Sequence, residues 1–276
     1  MQQSIQNLHS QLKLLTENPE MSTSDSMKIN MIRSDLDAID VSLMFTSKLM
    51  ISNRYQNPFL LTKLATGNIG TQVSEPGFIQ LAEGSQNQMT DLMEQNKKLK
   101  EVIRKIVLPS AIINNEGLFN RMKDFFIQGG RELTQSKLLY KGSLHTFQAS
   151  AFHERCDNKI NTLVIIRTSG GKVIGGFTHQ TWEGNGVWKK DESAWLFNIE
   201  APSIFKVKKD CYAIHASSST GPCFGSGSDL LVTSGCNKDC RSTAKSCSYD
   251  YNGKGNLFMN KQLAHFSASE IEVFQV

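Results

Sequence analysis

The chain has 276 residues, of which 39% are hydrophobic and 20% charged, and carries a net charge of +4 at neutral pH. That is the composition of an ordinary globular protein rather than a disordered or membrane one. The positive excess lies in residues 136–276, with 16 basic against 12 acidic side chains; it is too diffuse for nucleic acid, which needs basic residues clustered among aromatics.

No run of about 18 apolar residues exists, so no membrane insertion is expected. The opening "MQQSIQNLHSQLKLL" lacks the charged-then-apolar order of a secretory signal, and a cytoplasmic location is expected. All six cysteines (156, 211, 223, 236, 240 and 247) fall in the second half; in a reducing compartment and a chain this long they read as free thiols.

In chain order, the first segment places Ile5, Leu8, Leu12 and Leu15 along one side of a helix. Asn18-Pro19 and "STSDS" end it, with Ser24 or Asp25 as a cap for the next. "KINMIRSDLDAIDVSLMFTSKLM" then gives Ile29, Ile32, Leu36, Ile39 and Leu43 at alternating spacings of three and four, a coiled-coil-like seam. Pro58, Gly67, Gly70, Pro76, Gly77 and Gly84 mark residues 52–86 as an irregular connection, whose "NPFLLTKL" is apolar enough to dock. A third helix carries Met89, Leu92, Leu99, Ile103 and Ile106, with the polar Asn96 on the seam, where it can fix register. These helices, residues 1–110, either self-associate between chains or fold back as a hairpin within one.

From residue 111 the texture changes. "GLFNRMKDFFIQ" (117–128) predicts a helix with Leu118, Met122, Phe125 and Phe126 inward, ended by Gly129-Gly130. "TFQASAFHERC" (146–156) predicts another, with Phe147, Ala151 and Phe152 inward. "TLVIIRT" and "KVIGGFTH" flank Ser169-Gly170-Gly171 and read as a β-hairpin. Further strands are predicted at 193–199, 211–216, 228–233 and 270–276. Short strands without alternating helices favour an antiparallel sandwich, and hence an α+β chain overall. In the closing strand Ile271 and Val273 share one face, predicted to enter the inter-sheet core at about 2 kcal/mol each. Glu272 and Phe274 share the other, where a carboxylate must find donors, stay wet or meet a partner.

The residue types that could carry chemistry give weak patterns. Cys236, Cys240 and Cys247 form C-x3-C-x6-C, one close pair where zinc wants two, so a fourth ligand such as Cys223 or His215 would have to come from elsewhere. Lys238, Arg241 and Lys245 lie near Cys240 and Cys247 and could favour thiolate, but neither C-x-x-C nor a peroxidatic motif is present. Ser217, Ser218 or Ser219 with His153, His179 or His215 and Asp229 could be drawn as a triad, without a G-x-S-x-G elbow to hold it. The alternative to a binding module is therefore a thiol redox enzyme or a hydrolase. Gly170, Gly171, Gly175, Gly176 and Gly225 read as turn glycines, and Asp229 as an acceptor for backbone N–H groups. "QTWEGNGVWKKDES" is predicted to be a flap or a contact loop, with Trp182, Glu183 and Trp188, together with Glu272, as candidate partner-binding residues.

"LLYKGS", "FQASAFHERCDNK", "TLVIIRTSGGKVIGGFTHQTWEG", "ASSSTGPCFGSGSDLLV" and "EIEVFQV", in that order, resemble a TLDc domain, the module of oxidation-resistance proteins. The resemblance covers residues 137–276 and extends back toward the helix near 117. It implies a two-sheet β-sandwich flanked by helices, a role in protection against oxidative damage and, as for several members, binding to subunits of the vacuolar proton-pumping ATPase. It implies a protein-binding module with no catalytic residues, cofactor or metal.

Overall fold

A computed structural model describes residues 2–16, 23–56, 75–183, 185–260 and 263–276. The chain divides into two compact units, residues 1–104 and 105–276. None of the described helices is long and apolar enough to cross a membrane.

The first unit is helical: α1 (Gln2–Thr16), α2 (Thr23–Gln56) and α3, which runs Glu75–Val107. Helix overtakes the expected 52–86 connection from both sides. Pro76 is no obstacle, since the first turn of a helix has no intrahelical use for that N–H. Residues 57–74, with "NPFLLTKL", lie outside the described residues. Ser24 and Asp25 sit inside the first turn of α2 rather than capping it, and Asp25 pairs with Lys28 at 3.3 Å.

Ile5, Leu8 and Leu12 of α1, Ile29, Ile32, Leu36 and Leu43 of α2, and Leu99 and Ile103 of α3 are buried. α1 packs on α2. Asn96 of α3 is buried and donates from Nδ2 to Leu36 O at 3.0 Å and to Asp40 Oδ1. One turn on, Lys100 Nζ lies 2.5 Å from both Asp37 and Asp40. The α2 and α3 seams thus meet within one chain. Burial alone would lower the Lys100 pKa, but its bonds to the two aspartates outweigh that and raise it.

The second unit is α+β, with two antiparallel six-stranded sheets. The first sheet contains β1 (Lys137–Lys141), β2 (Thr162–Thr168), β3 (Val173–Thr178), β5 (Trp195–Asn198), β6 (Phe205–Lys206) and β12 (Ala268–Gln275), in the order β1-β12-β2-β3-β5-β6. The second contains β4 (Asn185–Lys189), β7 (Ile214–Ser217), β8 (Thr220–Phe224), β9 (Leu230–Thr233), β10 (Ser242–Ala244) and β11 (Ala264–Phe266), in the order β11-β10-β9-β8-β7-β4. Three helices accompany them: α4 (Glu116–Gln128), α5 (Gly142–His145) and α6 (Ala149–Cys156).

Ile271 and Val273 join Val164, Ile166, Ile174, Leu196, Phe224 and Leu230 in one buried cluster, so the closing strand contributes to the core as its alternation predicts. β2 and β3 are buried on both faces because α4 covers the opposite side of their sheet. Phe126 meets Phe177 and Trp195 edge-on at 5.9 and 5.2 Å, and Phe125 lies 5.8 Å from Phe197. Asn115 caps α4, accepting from Leu118 N at 3.0 Å, and this phase points Phe119 inward where Leu118 was expected. In α6, Ala149, Phe152 and Cys156 are buried, while Phe147 and Ala151 pack at the margin.

Two glycine readings need correction. Gly175 and Gly176 lie mid-strand in β3, not in a turn. A methyl on Gly175 would fall 1.9 Å from Val164 O and 2.8 Å from the Phe197 ring, and one on Gly176 would meet Leu196 at 2.5 Å. The neighbouring strands fill the space a side chain would need. "TGPCF" forms strand β8, and the turn expected at Gly225 begins directly after it, with φ +80. The hairpin turn at Gly170-Gly171 is as expected, Gly171 having φ +82.

Candidate interaction site

β4 is the last strand of its sheet, hydrogen-bonded to β7 on one side. A register shift between Asn185 and Val187 marks a bulge, and beyond it Trp188 stands directly opposite His215. Such cross-strand neighbours share a face, and here the two rings stack, 3.9 Å apart and 19° from parallel. Tyr212 lies 6.3 Å from Trp188 on the approach to β7. Trp188 is 37% exposed and Tyr212 42%. The result is a preformed aromatic surface at the margin of the sandwich.

The preceding loop is tied down. Lys189 Nζ donates to Thr181 O at 2.8 Å and Thr181 Oγ1 at 2.9 Å, and pairs with Glu183. Those bonds, from Lys189 first and Thr181 second, pull the Glu183 carboxyl down to about 2. On the far side Asp191 accepts from Thr178 Oγ1 and His179 N, both at 2.7 Å, and from Ser193 Oγ at 2.6 Å. Asp191 carried no distinguishing signal in the sequence.

Trp182 does not belong to this surface. It is fully buried, donates from Nε1 to Thr162 Oγ1 at 2.8 Å, and packs edge-on to Phe152 and Phe224. Its ring plugs the inter-sheet core, and only Glu183 and Trp188 of the loop's candidates reach solvent.

Glu272 is likewise unable to touch a partner directly, being 1% exposed. It is covered by the segment that precedes α4, not by a helix. Its carboxylate accepts from Ser110 Oγ at 2.6 Å and Ala111 N at 3.0 Å, and pairs with Lys141, its cross-strand neighbour, at 3.2 Å. Ser110 Oγ in turn accepts from Ile112 N and Ile113 N at 3.1 and 2.8 Å, while Arg167 donates to Ile112 O at 3.0 Å. Together these bonds fasten residues 110–113 to β12 and β2.

Asp229 is also fully buried and accepts from Cys247 N, Ser248 N and Tyr249 N at 2.9, 2.9 and 3.1 Å. It sits so close to Gly225 that a methyl there would lie 2.0 Å from Oδ2. Burial raises its pKa, against the pull of the three amides.

The residues from which a triad could be drawn do not converge. His153 faces Asp157 Oδ1 through Nδ1 at 2.7 Å, and the carbonyl oxygens of Ser217 and Thr220 through Nε2 at 2.9 Å. His179 bonds Asn161 at 2.7 Å, and His215 lies on Trp188. All six cysteines are free: Cys156, Cys223 and Cys236 buried, Cys211 half-buried, Cys240 and Cys247 exposed. Burial raises the pKa of all three buried thiols, to about 11 for Cys223 and about 12 for Cys236. They stay protonated and poorly nucleophilic at neutral pH. Among the described residues, no three His, Cys, Asp or Glu gather as a metal site requires.

Comparison with known proteins adds the family. No curated protein matches the chain. The model of the TLDc domain matches residues 108–276, which includes both sheets and α4, α5 and α6. The chain therefore belongs to the TLDc domain family.

Proposed function

We propose that residues 105–276 act in the cytoplasm as a non-enzymatic protein-interaction module in oxidative-stress protection, with subunits of the vacuolar proton-pumping ATPase as the partner. Membership of the TLDc family supports the stress-related role. The observation that carries the binding reading is the surface formed by Trp188, Tyr212 and His215. It is aromatic, solvent-facing and held rigid by the β4–β7 pairing and the Lys189 bonds. A rigid aromatic anchor loses little conformational entropy on association, which is why tryptophan and tyrosine dominate binding hot spots.

The test is capture of the detached catalytic sector of the vacuolar ATPase by the full chain and by Trp188→Ala/Tyr212→Ala. Loss of two anchors is expected to weaken capture by about tenfold or more, with the fold unchanged by circular dichroism. Equal capture by both forms would remove this surface from the proposal. Catalytic peroxide consumption that vanishes in Cys240→Ser/Cys247→Ser would replace the binding reading with a thiol one.

A further inference from the structure

The hydrophobic seam of α2 accounts for only one of its two apolar faces. Met27, Met31, Ser34, Ala38, Val41 and Phe45 follow one another at spacings of four, three, four, three and four, and all six are exposed. The four large members are each roughly two-thirds exposed. Soluble proteins rarely leave so long an apolar stripe in water. We propose that this face is a self-association site, on which a second copy of this chain docks α2 against α2 in parallel.

Two observations select that occupant. The spacing is a coiled-coil repeat sustained over six positions, which a second helix of the same repeat fills along its length; another copy supplies one of equal length and phase. The helix is already held by its other seam, with Ile29, Ile32, Leu36 and Leu43 buried within the chain. Docking therefore does not have to bear the helix-forming cost that makes a seam of this length marginal in isolated peptides.

Charge then chooses the direction. In a parallel pair the flanking positions bring Asn30 of one copy beside Asp35 of the other, and Asp37 beside Ser42. No like charges meet. An antiparallel pair that keeps every layer would set Asp35 against Asp35 and Asp37 against Asp37 across the twofold axis. In the parallel register each layer meets itself, with the small Ser34 and Ala38 layers between the methionines and the Val41 and Phe45 layers.

Sedimentation velocity on the full chain at micromolar concentration tests association, and the double variant Met31→Asp/Val41→Asp tests the face. Both positions are exposed, so the variant is expected to keep the wild-type helicity while its dimer dissociation constant rises at least about a hundredfold. A second variant, Ser34→Cys, tests the direction. Under mild oxidation it is expected to give a covalent dimer well beyond any formed by the unsubstituted chain through its own exposed thiols. A monomeric wild type, or a dimer indifferent to the double substitution, would overturn the proposal. A dimer that persists while Ser34→Cys fails to cross-link would overturn the parallel arrangement.

Discussion

The two units solve the problem of buried polarity in opposite ways. Between α2 and α3 the buried polar groups are side chains met chiefly by side chains: Asn96 with Asp40, and Lys100 with Asp37 and Asp40. In the sandwich, every one of the three buried carboxylates among the described residues takes main-chain amides of loops, alone or beside side-chain donors: Glu272 from Ala111, Asp229 from residues 247–249, and Asp191 from His179. The difference follows from the backbone. A helix satisfies its own N–H groups except at its ends, so what needs pairing between helices belongs to side chains. A sandwich with long connections brings loop N–H groups under cover without ladder partners, and a short acid is the acceptor that reaches several of them at once. Charge therefore fixes which turns of two helices face each other in one unit, and where irregular chain is pinned in the other.

Removing a pin is expected to have the largest effect. Glu272→Ala strands the Ser110 hydroxyl and the Ala111 amide at a buried site, while Lys141, a quarter exposed, keeps Glu270 at 3.9 Å. Donors left unpaired at such a site cost about 3–4 kcal/mol in total. Glu272→Gln keeps one carbonyl acceptor and should lose less. Urea unfolding followed by tryptophan fluorescence measures this unit alone, because Trp182, Trp188 and Trp195 all lie in it. A loss below about 1 kcal/mol would mean that water replaces the carboxylate and that the 110–113 segment is not held by it.

How much of this the sequence made legible follows from the range of the interactions. Period-two alternation placed Ile271 and Val273 in the core, and the same reading required Glu272 to find donors. It could not say which, since Ser110 and Ala111 lie some 160 positions away in the chain. Asp229 was readable as a backbone acceptor because that is what a short acid after a glycine-rich stretch does, although the amides it meets come from a later loop. Trp182 and Trp188 are six positions apart in one stretch read as a loop, yet only the structure separates the core plug from the surface anchor on β4. Composition carries no information about which side of a strand crossing a ring falls on. Gly175 and Gly176 went astray for a related reason: what excludes a side chain there is Phe197 and Leu196 of the adjacent strand. Strands β10 and β11, three residues each, are too short for periodicity to register.

In the helical unit the corresponding break is smaller. Lys100→Met removes the ammonium from between Asp37 and Asp40, but both carboxylates are about half exposed and can turn to water. A loss of about 1–2 kcal/mol is expected, read from the helical circular dichroism signal on thermal unfolding. Because the Lys100 pKa is raised in the folded state, its contribution is complete below its ordinary value of 10.5 and is lost as pH rises through the raised one. The wild type should therefore converge on the variant in strong alkali, and a gap that stays constant with pH would show that Lys100 acts through its hydrocarbon stem alone.

The smallest effect sharpens the contrast instead of breaking it. Glu183 and Lys189 pair at the rim of the proposed interaction surface, with about a third of the glutamate side chain in water. Such a pair is worth little to stability, yet it leaves a clear proton signature. The carboxyl of Glu183 should titrate near 2 in the intact chain and return toward its ordinary 4.5 in Lys189→Met, as followed by carboxyl carbon NMR. What stability the pair supplies is present above the unfolded value near 4.5 and fades as pH falls toward 2, because only then does the folded chain take up the proton. If the loop is held by this pair, the Trp188 surface should loosen over that same acid range. A titration midpoint unmoved by Lys189→Met would assign the low value to the Thr181 hydroxyl, and with it the task of holding the loop.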